Sequence, residues 1–344
     1  MDAILLVGGF GTRLHPLTKT LPKPLIPLAN IPFVERTVHW LRDAGVDHII
    51  LSLHYNPDQF ISHLNRRDHG VTFSFAREET PLGTGGAIKN CEPLLRSDCC
   101  FICNGDIFTD MDLEQMLAAH QAAQATISIA LKEVDDPSRY GVIETDAHHR
   151  VLSFTEKPPR ALARSRDINA GVYLFEREAF RFFPDSACSV ERDIFPAMLE
   201  HDVHLHGYQA WPYWTDLGTP RDYLQAHLDI LERKVVVPLS AKEVTPGCWQ
   251  GAQLALAESA LLRPPVILGD GVTIGAGAVI GPAVVLGDGV TVEADARVER
   301  SVLWDDVTIH RGSVVRGSIL GRAAAVAGEV IEDICEDYAV RTNR

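Results

Sequence analysis

VILGDGVTIGAGAVIGPAVVLGDGVTVEADARV, residues 266–298, repeats its pattern every six residues. Leu268, Ile274, Ile280, Leu286, Val292 and Val298 hold one series, which reaches back through Leu262 to Leu256. A second series at the same interval runs Leu254, Ala260, Val266, Val272, Ala278, Val284, Val290, Ala296 and Val302, and Gly269, Gly275, Gly281 and Gly287 keep the period. An ordinary half-buried strand alternates with period two and needs no glycine ladder. Aliphatic residues six apart, each followed by a turn residue, predict a parallel β-helix in which every hexapeptide forms one flat side of a coil. After Val298 the phase shifts towards Ile309 and Val315, which predicts a bulge or loop near Trp304.

Upstream of this repeat the pattern changes. Residues 235–247 carry Pro238 and Pro246 and read as a linker. Residues 1–234 alternate strand and helix signals: an apolar strand at Ala3 to Val7, helical spacing of Val34, Val38 and Leu41, then the strands HIILSL (48–53), VTFSF (71–75), CCFIC (99–103) and TISIALK (126–132). Alternation of this kind predicts a Rossmann-like, mainly parallel sheet sandwiched by helices. Ligands in such sheets bind beyond the carboxyl ends of the strands, where Gly8 to Arg13 and Asn104 to Asp106 both emerge. The expected division is therefore 1–234, a linker at 235–247, a β-helix at 248–330 and a tail at 331–344, acidic then basic, with no role assigned.

Composition narrows the class. Hydrophobic residues make up 46% and charged residues 23%, as in folded globular proteins. The formal net charge of −14 argues against a nucleic-acid or anionic-membrane partner, and no apolar run is long enough for a membrane helix. The start, MDAILLVGGFGTR, reads as a buried strand rather than a signal peptide, so a cytoplasmic protein is expected. Seven cysteines, including the Cys100/Cys103 pair in an apolar run, read as structural thiols of a reducing compartment.

The segment Gly8-Gly9-Phe10-Gly11-Thr12-Arg13 opens after the first strand. Glycines let backbone N–H groups approach a phosphate, and arginine adds forked donors. A dinucleotide fingerprint would need glycine where Leu14 stands, and no GxxxxGK[ST] loop occurs. Arg13, Lys19 and Lys23 share a stretch with Pro16, Pro22, Pro24 and Pro27, which predicts an extended basic wrap around a polyanion. Lys19 is read as solvated; Arg13 and Lys23 as functional.

Gly8-Gly9-x-Gly11-Thr12-Arg13-Leu14-x-Pro16-Leu17-Thr18 with Pro22-Lys23-Pro24-Leu25-x-Pro27 resembles the signature of the sugar-phosphate nucleotidyltransferases (nucleoside-diphosphate-sugar pyrophosphorylases). Leu82-Gly83-Thr84, Asn104-Gly105-Asp106, Tyr140-Gly141-Val142, Glu156-Lys157-Pro158, Asn169 to Tyr173 and Trp214 to Pro220 agree in order. With the hexapeptide tail, which the resemblance makes a left-handed parallel β-helix, it covers nearly the whole chain and is nearest to the mannose-1-phosphate guanylyltransferases.

The resemblance implies that a sugar 1-phosphate oxygen attacks the α-phosphorus of a nucleoside triphosphate while pyrophosphate leaves in line. Arg13 would polarise the triphosphate, Lys23 would bridge the α-phosphate and sugar phosphate, and Asp106 and Asp216 would share a Mg²⁺ ion. Gly8, Gly9, Gly11, Thr12, Arg13, Gly83 and Asn104 would bind the nucleotide. Gly141, Glu156, Lys157 and Asn169 would bind the sugar phosphate, with Glu191 a minor ligand. GTP with mannose 1-phosphate is the favoured pair; heptose 1-phosphate with GTP, or glucose 1-phosphate with dTTP or UTP, are the alternatives. From other classes stand an acyltransferase using His310, the sole histidine candidate in the repeat, and a non-catalytic subunit that senses nucleotide sugars. A homo-oligomer is expected from the β-helix. His201, His204 and His206 read as a surface strand, and Trp211, Tyr213 and Trp214 as pocket wall or packing.

Overall fold

Hydrophobic runs set the first sheet. In the computed structural model, which describes residues 1–335 apart from Phe10, Thr20, Tyr55, Asn56 and 210–212, they become β1 (Asp2–Leu6), β2 (His48–Leu53), β3 (Thr72–Arg77), β4 (Cys99–Asn104), β5 (Ile127–Glu133), β6 (Gly141–Thr145), β7 (Val151–Glu156), β8 (Asp167–Glu176) and β9 (Leu205–Gln209). Between them run α1 (Phe33–Asp43), α2 (Pro57–Leu64), α3 (Gly83–Cys91), α4 (Leu113–Ala123) and α5 (Phe195–Glu200). Trp211 and residues 336–344 lie outside the described residues.

The sheet order is β7-β6-β8-β4-β1-β2-β3, with β5 also on β8 and β9 on β5. The Rossmann-like part is β4-β1-β2-β3, all parallel, and β9 joins β5 in parallel. Beyond β4 the pairings of β8, β6 and β7 are antiparallel. Ile4, Ile50 and Ile102 face a core shared with Ile88 of α3 and Phe195 of α5. Their neighbours Leu5, Leu51 and Phe101 are equally buried, so both faces are covered. That is why these strands read as continuous apolar runs. Because Leu6 pairs with Asn104, the segments that follow, from residues 7 and 105, leave these two strands side by side.

The chain forms two compact units, each made of two stretches: Met1–Phe10 with Arg36–Trp214, and Gly11–Glu35 with Thr215–Arg344. The second therefore joins the signature segment from Gly11 onward to the β-helix, a grouping that differs from the division at 234.

In the second unit, α6 (Pro220–Leu231) precedes three ladders of short parallel strands, and Leu268, Leu286 and Leu303 stack along one of them. The inner side chains, among them Ile274, Ile280, Val292 and Val298, are buried in one continuous core. Corner chemistry explains the Gly-Asp pairs. The Asp288 carboxylate accepts from the Asp270 N–H at 2.8 Å, and a Cβ at Gly269 would stand 2.5 Å from that same carboxylate.

The phase shift after Val298 is present, but its cause is a shortened corner rather than an inserted loop. Leu268 pairs with Leu286, whereas Leu286 pairs with Leu303 and Leu320 with Cys335, so successive coils lose residues. Ser301, fully buried, then takes the small inner position expected of Val302, donating to the Glu299 carbonyl at 2.6 Å. Part of the expected linker is a strand, Lys242–Thr245, antiparallel to Cys248–Gln250. Among the described residues no helix is long and apolar enough to cross a membrane.

Candidate active site

Each unit contributes its own set of candidate residues. In the first, β1 delivers Gly8 and Gly9 to the carboxyl edge of the sheet. A Cβ on Gly8 would meet the Glu78 carboxylate at 3.2 Å and the His54 N–H nitrogen at 3.3 Å, so close approach demands glycine. Gly9 faces open space. Glu78 ties this edge together: it accepts from the Ser52 hydroxyl at 2.7 Å and the Leu82 N–H at 3.1 Å. Its role depends on partners in separate stretches of chain, after β1, in β2 and just before α3, and no motif marks it.

Gly83 opens α3 at φ 71°, where its missing Cβ would lie 2.5 Å from the Cys188 carbonyl oxygen. The need for glycine here comes from that carbonyl, which also accepts from the Gly85 N–H at 2.9 Å. Thr84 locks the same junction, donating to Glu191 at 2.7 Å and accepting from the Val190 N–H at 2.9 Å.

At the end of β4, Gly105 bonds the Leu6 carbonyl at 2.9 Å, and a Cβ there would stand 2.5 Å from it. This holds half-buried Asn104 and Asp106 on either side. A Cβ on Gly171 would stand 2.7 Å from the Asn104 amide.

The residues expected at the sugar come together on β6, β7 and β8. A Cβ on Gly141 would collide with the Phe154 ring and stand 3.0 Å from the Glu156 carboxylate. Lys157 pairs with Glu156 at 2.9 Å. Asn169 donates to the Tyr173 hydroxyl at 2.8 Å and accepts from the Gly171 N–H at 3.0 Å. Burial, then the Glu191 carboxylate, pushes the Tyr173 phenol well up, and Glu156 adds to the effect. Tyr173 is thus a neutral hydroxyl among candidate polar residues, and sequence reading had given it no part. Trp214 donates to the Ala170 carbonyl at 2.9 Å and meets Tyr140 edge-on, a wall beside Asn169.

In the second unit the signature segment is turned, not extended. Thr12–Leu14 and Lys23–Leu25 are single 3₁₀ turns, the second with Pro24 in its first turn. Proline excludes an α-helical interior but suits the start of a tight turn. Gly11 at φ 63° leaves room for Lys23, whose Cβ would be 3.0 Å from an added methyl, and Thr18 bonds the Gly11 carbonyl at 2.8 Å. Buried Leu14 and Leu17 anchor the stretch, with Thr12 and Arg13 exposed and Lys23 half-buried. A Cβ on Gly218 would stand 3.0 Å from both an Arg13 guanidinium nitrogen and an Asp216 oxygen. Arg13 and Asp216 are therefore neighbours across that glycine, just before α6.

The remaining clusters do other work. All seven cysteines are free thiols. Cys99, His120 and Glu176 gather closely, but at the opposite end of β4 from Asn104, and both ring nitrogens of His120 already bond Ser128 and Glu176. His206 is buried edge-on to His149 rather than on a surface strand. His310 is half-exposed and bonds Glu293 at 3.2 Å.

The first unit thus carries glycine turns at strand ends and a group of polar residues on β6, β7 and β8, and the second a guanidinium beside a carboxylate and a β-helix. Residues 2–233 match the family model described as Nucleotidyl transferase, residues 262–335 that described as GMPPB C-terminal domain, and the chain belongs to the nucleotidyl transferase family. It is similar to the mannose-1-phosphate guanylyltransferase of Mycobacterium tuberculosis, 36% identical over 324 residues covering 92% of this chain and 83% of that one. The mannose-1-phosphate guanyltransferase of Debaryomyces hansenii is 35% identical over 243 residues, 68% of this chain and 66% of that protein. HddC from Yersinia pseudotuberculosis, solved in complex with GMP-PN, superposes with a TM-score of 0.57 at 31% identity, over 65% of this chain and 97% of its own.

Proposed function

We propose that this chain joins GTP to mannose 1-phosphate, releasing GDP-mannose and pyrophosphate. The observation that carries this reading is the 36% identity over 92% of the chain to a mannose-1-phosphate guanylyltransferase. The complex of the similar HddC with GMP-PN supports guanine as the base.

The sugar phosphate is ionised near neutral pH, so it attacks the α-phosphorus without a general base. The P–O bond to pyrophosphate breaks as the new one forms. Positioning and charge neutralisation then supply the catalysis. Arg13 binds the triphosphate and steadies the leaving pyrophosphate, aided by the backbone of Gly8, Gly9, Gly11 and Thr12, with Gly83 and Asn104 towards the nucleoside. Lys23 holds the α-phosphate against the sugar phosphate. Gly141, Glu156, Lys157 and Asn169 bind the sugar and its phosphate.

Asp106 and Asp216 are the proposed Mg²⁺ ligands; half-buried carboxylates at strand ends offer the oxygen donors that ion prefers. When bound, the ion would neutralise charge building on the phosphates. EDTA is expected to abolish turnover and added Mg²⁺ to restore it. Cytoplasmic location and a homo-oligomer belong to the same proposal, the latter supported by exposed Leu256 and Leu261 on the first coil.

The test is pyrophosphate release, crossing GTP, UTP and dTTP with mannose, heptose and glucose 1-phosphates. Fastest turnover with GTP and mannose 1-phosphate is expected, and a different best pair replaces the substrate assignment. Retained turnover in the Asp106→Asn, Asp216→Asn double variant overturns the metal-ligand roles. Acetyl transfer that is lost on His310→Ala would support an additional acyltransferase activity, and absence of acetyl-coenzyme A binding ends that reading.

A further inference from the structure

Within the second unit, the Lys23 turn is tied to the β-helix from two sides. Four residues after Lys23, the Pro27 carbonyl accepts a hydrogen bond from the Tyr223 hydroxyl. Tyr223 lies on α6, fully buried, and its oxygen in turn accepts from the Trp304 indole N–H at 3.0 Å. Trp304 is 5% exposed and follows directly on the β-helix strand Val302–Leu303. On the other side, Asn30 donates to the Leu286 carbonyl at 2.7 Å, the same oxygen that takes the Gly269 N–H at 2.8 Å in the coil ladder. Beyond these ties, Lys23 packs on Gly11, and α6 begins just after Asp216 and Gly218, the latter beside Arg13.

We propose that the β-helix sets the position of the Lys23 turn during phosphoryl chemistry, with Tyr223 and Trp304 as positioning residues and Asn30 as a second tie. This rests on the reading that Lys23 binds the reacting phosphates. Packing alone does not require these groups. A phenylalanine would fill the Tyr223 site, and the hydroxyl, expensive to bury, is present only to join Pro27 to Trp304. Burial also pushes the Tyr223 phenol far up, so it stays a donor at every working pH. In-line transfer loses rate steeply when a phosphate-binding group is displaced by about 1 Å, so a rigid mount for Lys23 acts on turnover more than on affinity.

The experiment compares Tyr223→Phe, Trp304→Phe, Asn30→Gly, Lys23→Ala and the Tyr223→Phe, Lys23→Ala double variant. Steady-state pyrophosphate release and melting temperature are measured for each. Glycine at 30 keeps the left-handed backbone, φ 63°, while removing the amide. Tyr223→Phe and Trp304→Phe are expected to lower kcat about tenfold with KM for GTP changed less than about twofold, and Tyr223→Phe to have no further effect once Lys23 is alanine. Lowered melting temperature with kcat intact, or effects that multiply in the double variant, would show a purely structural role and overturn the inference. Should Tyr223→Phe fail to fold, Trp304→Phe, which keeps the phenol, decides it. If Lys23→Ala itself keeps kcat, the role given to Lys23 falls and this inference with it; if only the positioning variants are silent, the function stands and the inference alone falls.

Discussion

Gly141 shows how one missing atom shapes the candidate sugar site. Its hydrogen stands where a methyl would press on Phe154 and on Glu156, which is itself paired with Lys157. Gly141→Ala is expected to destabilise the protein by about 1–3 kcal/mol, as overpacking does. It should also raise KM for the sugar phosphate more than for GTP, a split that steady-state kinetics reads directly. His206 provides a second test at this scale. Burial, with the rings of His149 and His204 nearby, lowers its pKa from 6.5 to about 4. Between those values the unfolded chain takes up a proton that the folded chain refuses, so this contribution is whole above pH 6.5 and fades as pH falls towards 4. Urea denaturation at pH 7 and pH 5 should show the loss, and His206→Gln should flatten it. Sequence reading named Gly141, Glu156, Lys157 and Asn169, which stand in motifs. It left Glu78 unnamed and gave no part to the Tyr173 hydroxyl or the Trp304 indole, because those parts are set by partners brought close only by the fold.

α6 illustrates what elements add. Thr219 caps it, its hydroxyl accepting from the Asp222 N–H at 3.3 Å and donating to the Asp222 carboxylate at 2.6 Å, with Pro220 opening the first turn. Thr219→Ala is expected to cost about 1 kcal/mol of stability, measurable as a lower denaturant midpoint. The glycine and proline punctuation told where chain direction changes but not into what. Prolines around Lys23 suggested an extended wrap, because a single sequence shows that α-helix is barred without showing that a 3₁₀ turn remains allowed. Lys242–Thr245 went unread for a different reason: all four side chains are exposed, so no alternation of apolar and polar residues marks the strand.

Over the whole chain, the hexapeptide period was the most legible feature, since each inner position repeats a demand for the same kind of side chain. Ile280→Ala, at a fully buried rung between Leu262 and Val298, is expected to destabilise by about 2–5 kcal/mol. Which stretches form one compact body was not legible, because that depends on contacts between residues 11–35 and residues beyond 214.

That discontinuity bears on how the chain is born. Gly11–Glu35 leaves the ribosome early, yet the body it belongs to is completed only after residues 36–214 have been made. At 5–20 residues per second the second stretch only begins to be made about ten to forty seconds later. Through that interval residues 11–35 lack the rest of their compact unit. Nascent chains stalled near residue 200 should be cut by protease around Lys19 and Lys23, and chains stalled after the last coil should resist.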